Sequence, residues 1–330
     1  MSSRSTIENR GDGIYQVRVP LPFPLRWVNA YLLKGQDGYT VIDPGLHTAE
    51  SIKVWEESFD TLGISYSDIS QIVLTHHHPD HIGLAGTFQQ RSGAPVLLSA
   101  EGIEQSLYLW GPEREATDEL HKLFARHGMD AETGERLREH MESFLPFVYP
   151  LPEMTPITAG SLIMMGDRAY RTIEAPGHAY GQFMLLDEAG GNLFCGDHVL
   201  PQITPNVGLL PRFDTNPLQS FLDSLALVAQ LAVKRAFPGH RDPFEGFAER
   251  CHAIIEHHHE RLARMIGMLD QPKSGYELCQ AFFGTSLSIH QLRFAMAETL
   301  AHLVYLRENG EIKEQPSAGG TTAFSNIGSL

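Results

Sequence analysis

The sequence predicts an α/β protein in which two sheets lie face to face with helices on the outside. Short apolar runs rich in β-branched residues alternate with helical spacing over residues 13–99, and a similar order of elements returns after residue 160. The two halves share the order of their elements rather than a repeated sequence. Two such halves bury their apolar faces against each other, which places both sheets at the centre.

The first half is predicted to hold strands followed by a strand–helix–strand unit. Alternation predicts a strand over 13–19, and the next two strands form a hairpin around Gly35-Gln36-Asp37-Gly38. Three prolines in residues 20–24 exclude a central strand there, because proline donates no amide hydrogen bond, so this segment is expected at a rim. The remaining predicted elements are strands over 27–33, 39–43, 71–75 and 95–99 and helices over about 48–62 and 81–91.

Residues 100–155 interrupt this order with a helical insertion. Apolar residues have helical spacing over 101–110, 113–126 and 131–144. Two interpretations stay open: a lid over a functional site, or a packing appendage or dimer contact. A homodimer is therefore one of the predicted assemblies.

The second half and the C-terminal region complete the predicted organisation. Residues 1–269 are expected to form one domain and residues 270–314 a small helical module, whose segment 302–312 resembles the last helix and wing of a winged-helix module. Residues 315–330 are rich in Gly, Ser and Thr without periodicity, which predicts a disordered tail. The predicted elements are strands over 161–165, 169–174, 182–186, 192–195 and 234–237 and helices over about 217–230, 244–269, 274–283 and 288–309.

The composition favours a small-molecule partner over nucleic acid. The chain has 25 Lys+Arg against 40 Asp+Glu, a net charge of -15, and no Lys/Arg cluster, whereas proteins that grip phosphate backbones show a basic face. No stretch approaches the ~20 apolar residues that a membrane span needs, so no membrane partner is expected. Cys195, Cys251 and Cys279 are widely spaced and odd in number, which predicts reduced thiols and a cytoplasmic protein.

A cluster of histidines follows the strand predicted at 71–75. Alternation along an extended chain sends His76 and His78 to one side, where two imidazoles can hold one metal ion. Asp80 and His81 follow Pro79 at a chain reversal and can hold a second ion nearby. A solvated, His-rich loop is the alternative interpretation, and the pattern His-x-His-x-Asp-His after an apolar strand disfavours it.

Three further ligand-type residues stand at the ends of predicted strands. His178 and His240 each close a Pro-Gly-His triplet, and Asp197 follows Gly196. In each case a small or rigid residue permits a tight turn between the strand and the ligand. With the first cluster, these residues complete two possible metal shells.

The ordered series His76-x-His78-x-Asp80-His81, His178, Asp197 and His240 resembles the metallo-β-lactamase superfamily, and within it the glyoxalase II-like branch. The resemblance covers roughly residues 14–250 without the insertion. It implies an αββα sandwich as the catalytic domain. It also implies two metal shells bridged by Asp197: His76, His78 and His178 around one zinc, and Asp80, His81 and His240 around the other.

The chemistry of this donor set favours hydrolysis. Nitrogen and carboxylate donors without thiolate suit two zinc ions, with iron or manganese as alternatives. Two adjacent cations lower the pKa of a shared water toward ~7, and the resulting metal-bridged hydroxide can attack a carbonyl. Asp80 is predicted to be the catalytic residue, orienting this hydroxide or shuttling a proton to the leaving group.

The predicted function is hydrolysis of an ester-type bond in a small molecule, with a thioester favoured. Lactonase activity stays open, as does a zinc-dependent endoribonuclease, which the winged-helix-like module suggests. A persulfide dioxygenase with one iron is disfavoured by the complete second shell, and a binding protein with a vestigial site by the unbroken ligand series. The residues after Asp197 depart from authentic glyoxalase II, so glutathione thioester is only one candidate.

Four other features near or outside the predicted metal site also contain residue types that could bind a ligand. His198 is either a support for the metal site or an ordinary polar neighbour, and Arg212 and Arg241 either meet an acidic substrate or form ion pairs. His257-His258-His259 fan around a helix and are expected to form a partly solvated face, because consecutive helical residues cannot converge on one ion.

Overall fold

The computed structural model describes residues 6–113 and 115–327. Seven strands of the first half form one sheet in chain order, antiparallel from β1 to β4 and parallel from β4 to β7. These strands are β1 (Ile7–Gly11), β2 (Ile14–Pro20), β3 (Trp27–Gly35), β4 (Gly38–Ile42), β5 (Ile69–Val73), β6 (Val96–Ser99) and β7 (Met154–Ile157). Their helices are α1 (Ala49–Leu62), α2 (Pro79–Ile82) and α3 (Ala85–Ser92).

The insertion forms three helices between β6 and β7. They are α4 (Ala100–Trp110), α5 (Glu115–Arg126) and α6 (Ala131–Glu142). The indole Nε1 of Trp110 donates to the carbonyl oxygen of His77 at 3.0 Å. The insertion is therefore tied directly to the backbone of the histidine cluster.

A second sheet of five strands has the order β12-β11-β10-β9-β8. Its strands are β8 (Leu162–Met165), β9 (Arg168–Glu174), β10 (Phe183–Asp187), β11 (Asn192–Gly196) and β12 (Arg235–Pro238). Only the pair β11–β12 is parallel among these strands, and α7 (Pro217–Val228) connects the two. Helix α8 (Phe247–Gly267) follows.

The two sheets pack face to face. On β3, Tyr31 and Leu33 point toward the second sheet, while the alternate residues Val28, Ala30 and Leu32 belong to the core beneath the helices. The ring of Tyr31 lies 5.0 Å from that of Phe194 and 5.6 Å from that of Phe237, measured between centroids. The predicted α/β architecture of two central sheets with outer helices is confirmed.

The C-terminal region contains α9 (Gly275–Phe283), α10 (Ile289–Glu308) and an antiparallel sheet of β13 (Lys273–Ser274), β14 (Ile312–Pro316) and β15 (Thr322–Asn326). The prediction of a disordered tail over 315–330 is wrong for residues 315–327, and residues 328–330 lie outside the described chain. Gly319 and Gly320 adopt positive φ in the turn between β14 and β15, and Phe324 is 1% exposed. The glycines thus serve a turn, and one buried ring anchors the hairpin.

No helix in the described part of the chain is long and apolar enough to cross a membrane. The three cysteines are buried and unpaired. His258 is also buried, which corrects the predicted solvated face at that position.

His258 of α8 packs against His302 of α10. Nδ1 of His302 donates to the carbonyl oxygen of Glu298 at 2.8 Å, a tautomer assigned from the hydrogen-bond network. Nε2 of His302 then accepts from Nδ1 of His258 at 3.2 Å. Burial, together with the neighbouring imidazole, lowers the pKa of His258 to about 2. The pair is therefore neutral in the folded protein.

We predict that His258→Gln weakens the acid sensitivity of folding. The unfolded imidazole binds a proton below pH ~6.5, whereas the folded one stays neutral down to about 2, so its stabilisation is lost as the pH falls below ~6.5. Between pH 7 and pH 5 this loss is about 2 kcal/mol for one such imidazole. Urea unfolding at both pH values measures it, with the exposed neighbour changed in His259→Gln as control. An unchanged pH dependence in His258→Gln contradicts the assignment.

Candidate metal centre

The seven residues predicted as metal ligands lie together at one edge of both sheets. They follow the ends of β5, β9, β11 and β12, because the face-to-face packing brings these strand ends to the same place. The ligand-type atoms of His76, His78 and His178 lie within 4.8 Å of one another, and so do those of the second group, Asp80, His81 and His240. His77, which lies between His76 and His78 in the sequence, is in neither group.

Asp197 lies between the two groups. Its Oδ2 is 3.8 Å from Nε2 of His178 in the first group. The same oxygen is 3.6 Å from Nε2 of His81 and 3.3 Å from Nε2 of His240 in the second. One carboxylate oxygen therefore faces both groups at once.

Three imidazoles are held by hydrogen bonds at the nitrogen that faces away from the site. Nδ1 lies 2.7 Å from the carbonyl oxygen of Asn206 in His178 and 3.0 Å from that of Trp27 in His240. In His81, Nδ1 lies 2.9 Å from the carboxylate of Asp43. In their neutral forms these rings therefore carry the proton on Nδ1 and turn the Nε2 lone pair to the shared space, where a cation would displace the proton that the carboxylates favour on His240.

The shared space fits a cation. Nε2 of His81, Nε2 of His178 and Oδ1 of Asp197 are buried without a hydrogen-bond partner among the described residues. A buried polar atom without a partner costs free energy, and a metal ion satisfies several lone pairs together. A Cβ on Gly239 would come within 2.2 Å of Oδ1 of Asp197, so only glycine permits this close approach.

The first group is built for neutral imidazoles. Nε2 of His76 lies 3.1 Å from Nδ1 of His78, and Nδ1 of His76 lies 3.0 Å from Oγ1 of Thr75. Burial and the neighbouring histidines hold the pKa of His76 and of His78 well below the usual range. Neutral rings keep the lone pairs that a metal ion requires.

The second group concentrates negative charge. Burial acts to raise the pKa of Asp197 and of Asp80, yet the imidazoles of His81 and His240 outweigh it and lower both. Burial likewise opposes the charge of His240, and Asp197 and Asp80 overcome it, raising its pKa to about 10. Both carboxylates are therefore ionised. Asp80, with 20% of its side chain exposed, presents its charge to the cavity.

Asp43 is a site residue that the sequence prediction missed. Its carboxylate accepts from the backbone N–H of Thr75 at 2.7 Å and from Oγ1 of Thr75 at 2.6 Å, besides holding His81. The available signal was its place at the end of β4, which runs parallel to β5 and so ends at the same edge. Asp43 thus positions His81 from the neighbouring strand.

A cavity of about 550 Å³ opens beside the two groups. His78, Asp80, His178, Asp197 and His240 form its polar end. The remaining wall is mostly apolar and comes from the proline-rich rim, the insertion and α10, including Phe23, Leu109, Trp110, Leu120, Met141, Phe144, Leu287 and Phe294. The insertion and α10 are therefore parts of the site's wall.

The weaker candidates do not line the cavity. His198 is buried and lies 3.0 Å from Oγ of Ser224. Arg212 forms ion pairs with Glu115 and Glu119, as the second interpretation of that residue predicted. The backbone oxygen of Arg241 accepts from Nδ2 of Asn29 at 2.5 Å.

Helix α10 supports a member of the first group through Asn206. The backbone oxygen of Asn206 holds His178, and its side-chain Nδ2 donates to Oε2 of Glu298 at 2.9 Å. Glu298 in turn forms an ion pair with Arg261 of α8 and is 7% exposed. A line of contacts thus runs from α8 and α10 to His178.

Comparisons with known proteins identify relatives along nearly the whole chain. The family model of the metallo-beta-lactamase superfamily matches residues 25–240, and that of the metallo-beta-lactamase-like C-terminal domain matches residues 262–327. The probable metallo-hydrolase YqjP of Bacillus subtilis is 28% identical over 301 residues, which cover 88% of this chain and 91% of that protein. The lactamase-like protein nscB of Aspergillus fumigatus is 23% identical, with 88% of this chain and 76% of that protein covered.

Solved structures give the same result for the fold. The metallo-beta-lactamase family protein TTHA1429 from Thermus thermophilus has a TM-score of 0.84 at 35% identity, covering 95% of this chain and 98% of that one. A beta-lactamase domain protein from Burkholderia ambifaria has a TM-score of 0.86 at 28% identity, covering 99% and 96%. The predicted metallo-β-lactamase fold is confirmed. The glyoxalase II-like branch and the winged-helix likeness stay predictions.

We predict that Glu298→Ala lowers the affinity for a divalent cation such as zinc by about 10–100-fold, because Asn206, which holds His178, loses its 2.9 Å acceptor and keeps only the carbonyl oxygen of Phe294 at 3.3 Å. Glu298→Gln keeps an oxygen acceptor for Asn206 and is expected to bind nearly as the wild type does. Both variants remove the charge that faces Arg261, so their difference isolates the contact to Asn206. Competition with a chromophoric chelator measures the affinity, with the exposed residue changed in Glu308→Ala as control. Equal affinities in the alanine and glutamine variants would contradict the proposed support.

Proposed function

The chain belongs to the metallo-β-lactamase superfamily, and we propose that it is a dizinc hydrolase that cleaves an ester-type bond in a small molecule, with a thioester as the favoured substrate. The main support for this proposal is the position of the ligand-type atoms. Two groups of imidazole and carboxylate atoms, faced by one oxygen of Asp197, sit at the polar end of an apolar cavity.

The donor set assigns three residues to each ion. His76, His78 and His178 would hold one, Asp80, His81 and His240 the other, and Asp197 would bridge them. Histidine and carboxylate donors suit zinc, and iron or manganese are accepted by the same atoms. His81 is also part of a third group, with Asp43 and His76, but its Nδ1 is already engaged by Asp43. Asp43 therefore orients a ligand rather than forming another site.

Asp80 and the apolar cavity wall would act on the water and the substrate at this centre. Bound zinc ions supply an activated water and polarise a substrate carbonyl. Asp80 is ionised at the cavity wall and within 3.2 Å of Nε2 of His240, so its carboxylate can orient that water and take its proton. The apolar wall excludes bulk water, which strengthens the electrostatic interactions with the reacting atoms.

The cavity favours a small molecule over RNA. A single-stranded nucleic acid requires a groove of positive charge with stacking platforms. Here the net charge is -15, and the cavity wall is predominantly apolar. An acyl thioester offers an apolar body for this wall and a carbonyl for the metal centre. Lactones also combine an apolar body with a carbonyl, so they are the second class of substrate to be assayed.

We predict that the purified protein contains about two zinc ions per chain and hydrolyses small acyl thioesters. Elemental analysis measures the metal, and a panel of acyl-glutathione, acyl-CoA, a homoserine lactone, nitrocefin and single-stranded RNA measures the activity. Chelation is expected to abolish turnover and added zinc to restore it, because every proposed ligand converges on the metal. One iron per chain, or cleavage of RNA alone, would overturn the proposal.

We predict that Asp80→Asn lowers kcat by about 10²–10⁴-fold, because an amide cannot take a proton from the attacking water. Elemental analysis shows whether the metal content changes together with kcat. The control is Asp60→Asn, which alters an exposed carboxylate of α1 that belongs to neither ligand group and does not line the cavity. Full metal together with full turnover in Asp80→Asn would refute the catalytic role.

A further inference from the structure

We infer that Arg293 forms an anion-binding subsite inside the cavity, so that the preferred substrate carries a carboxylate or phosphate at the end of an apolar body. The inference rests on the proposed hydrolase function and names the substrate class of the same site. Arg293 lies on α10 and lines the cavity that also contains His78, Asp80 and His240. The guanidinium and the candidate metal centre therefore face the same cavity.

The guanidinium of Arg293 is held by apolar groups alone. Its carbon lies 4.3 Å from the ring centroid of Phe294 and 5.4 Å from that of Phe144. Nη1 lies 2.8 Å from Sδ of Met141, and Nε is buried with no hydrogen-bond partner among the described residues. Burial lowers the pKa of Arg293 to about 10, with no carboxylate acting against it. The group is still charged at neutral pH and has no anionic partner within residues 6–113 and 115–327.

Other partly buried arginines of the described chain have polar partners: Arg250 donates to the carbonyl oxygens of Leu200 and Ile203, and three others pair with a carboxylate. Arg261 pairs with Glu298, Arg168 with Asp187 at 2.8 Å, and Arg18 with Glu8 at 2.5 Å. An unpaired charge removed from water destabilises the folded state unless a partner arrives. A ligand is the remaining source of that partner for Arg293.

The carboxylate that α10 adds to the cavity lining, Glu298, is paired with Arg261, and the polar residue one helical turn before Arg293 carries no charge of its own. His290 precedes Arg293 by one helical turn, stacks on Phe23 at 5.2 Å, and lies 3.2 Å from a nitrogen of His140. Burial first, and then Arg293 and His140, lower the pKa of His290 to about 4. The imidazole is neutral near pH 7 and offers hydrogen bonding only. Arg293 is thus the charge that selects the ligand on this wall.

The chemistry of a guanidinium limits the ligand to planar or tetrahedral oxyanions. Its fork of N–H donors matches carboxylate and phosphate oxygens in pairs. The apolar residues that line the same cavity, including Leu120, Met141 and Phe144, suit a hydrocarbon segment. A thioester whose acyl chain ends in an oxyanion satisfies the metal centre, the apolar wall and Arg293 together.

Matched thioesters test this inference on the zinc-loaded protein. Each pair has the same neutral thiol, N-acetylcysteamine, and a dicarboxylic acyl chain that ends either in a free carboxylate or in its methyl ester. Acyl chains of four to eight carbons cover different spans, and a phosphate-ended series separates the two oxyanions. The wild type is expected to prefer an anionic member in kcat/KM by at least tenfold at the best length.

Arg293→Gln is expected to reduce this preference at least tenfold, and Arg293→Lys to retain part of it, because an ammonium keeps the charge and loses the paired donors. Arg264→Gln is the matched control. Arg264 is an exposed arginine whose guanidinium lies 4.5 Å from the ring of Phe282, outside the cavity. Equal preference in the wild type and Arg293→Gln, or no preference for either oxyanion in the wild type, would overturn the inference.

Calorimetric binding of adipate and of its dimethyl ester separates this inference from the hydrolase proposal. If the zinc-loaded wild type hydrolyses no thioester, the hydrolase proposal fails, while tighter adipate binding to the wild type than to Arg293→Gln still supports the subsite. If thioesters are hydrolysed and adipate binds both proteins equally, the subsite fails alone. Circular dichroism melts confirm that each variant is folded before these measurements.

Discussion

The packing of the two sheets is the constraint on which the site depends. Tyr31 of the first sheet packs edge-on against the stacked rings of Phe194 and Phe237 of the second, and its hydroxyl donates to the carbonyl oxygen of Pro238 at 2.7 Å. This contact fixes the end of β12 against the first sheet, one residue before the turn that presents His240. Since β4 and β5 are parallel, and β11 and β12 are too, their carboxyl ends converge at the same edge. Ligand-type residues distant in sequence are thereby brought together.

The gathered groups are held in place from outside the site. Backbone carbonyls orient His178 and His240, and Asp43 orients His81, so the ligand nitrogens are positioned before any ion binds. This arrangement makes the C-terminal region part of the site, because α10 holds Asn206 through Glu298 and also forms one wall of the cavity. The insertion contributes in the same way, through the bond from Trp110 to His77 and through its own residues in the cavity lining. Both additions therefore shape the pocket, although the ligands come from the central fold.

Sequence reasoning placed the seven ligand-type residues because each follows an apolar strand within a few residues, where local pattern is informative. It could not find Asp43, whose contact to His81 spans 38 residues, or the pairing of Asn206 with Glu298, which spans 92. Such partners depend on how distant elements pack. The prediction of a disordered tail failed for residues 315–327 because Gly and Ser are common both in tight turns and in disordered segments. From the sequence, Arg293 was counted only as one basic residue of the C-terminal module. Groups that surround its guanidinium come from distant parts of the chain, so the sequence does not reveal that no carboxylate is among them.

Two differently charged regions of the cavity have different tasks. One would hold the metal ions that act on a substrate carbonyl, and the other would select which substrate binds. At the polar end, ionised carboxylates and imidazoles are arranged to hold cations, which would act on any carbonyl that reaches them. Farther along the wall, the guanidinium of Arg293 stands among aromatic rings with no carboxylate beside it. A ligand that joins the two must present a carbonyl at one end and an oxyanion at the other. The apolar span between them then measures the length of the substrate, because a chain that is too short loses one contact and a longer one has to bend.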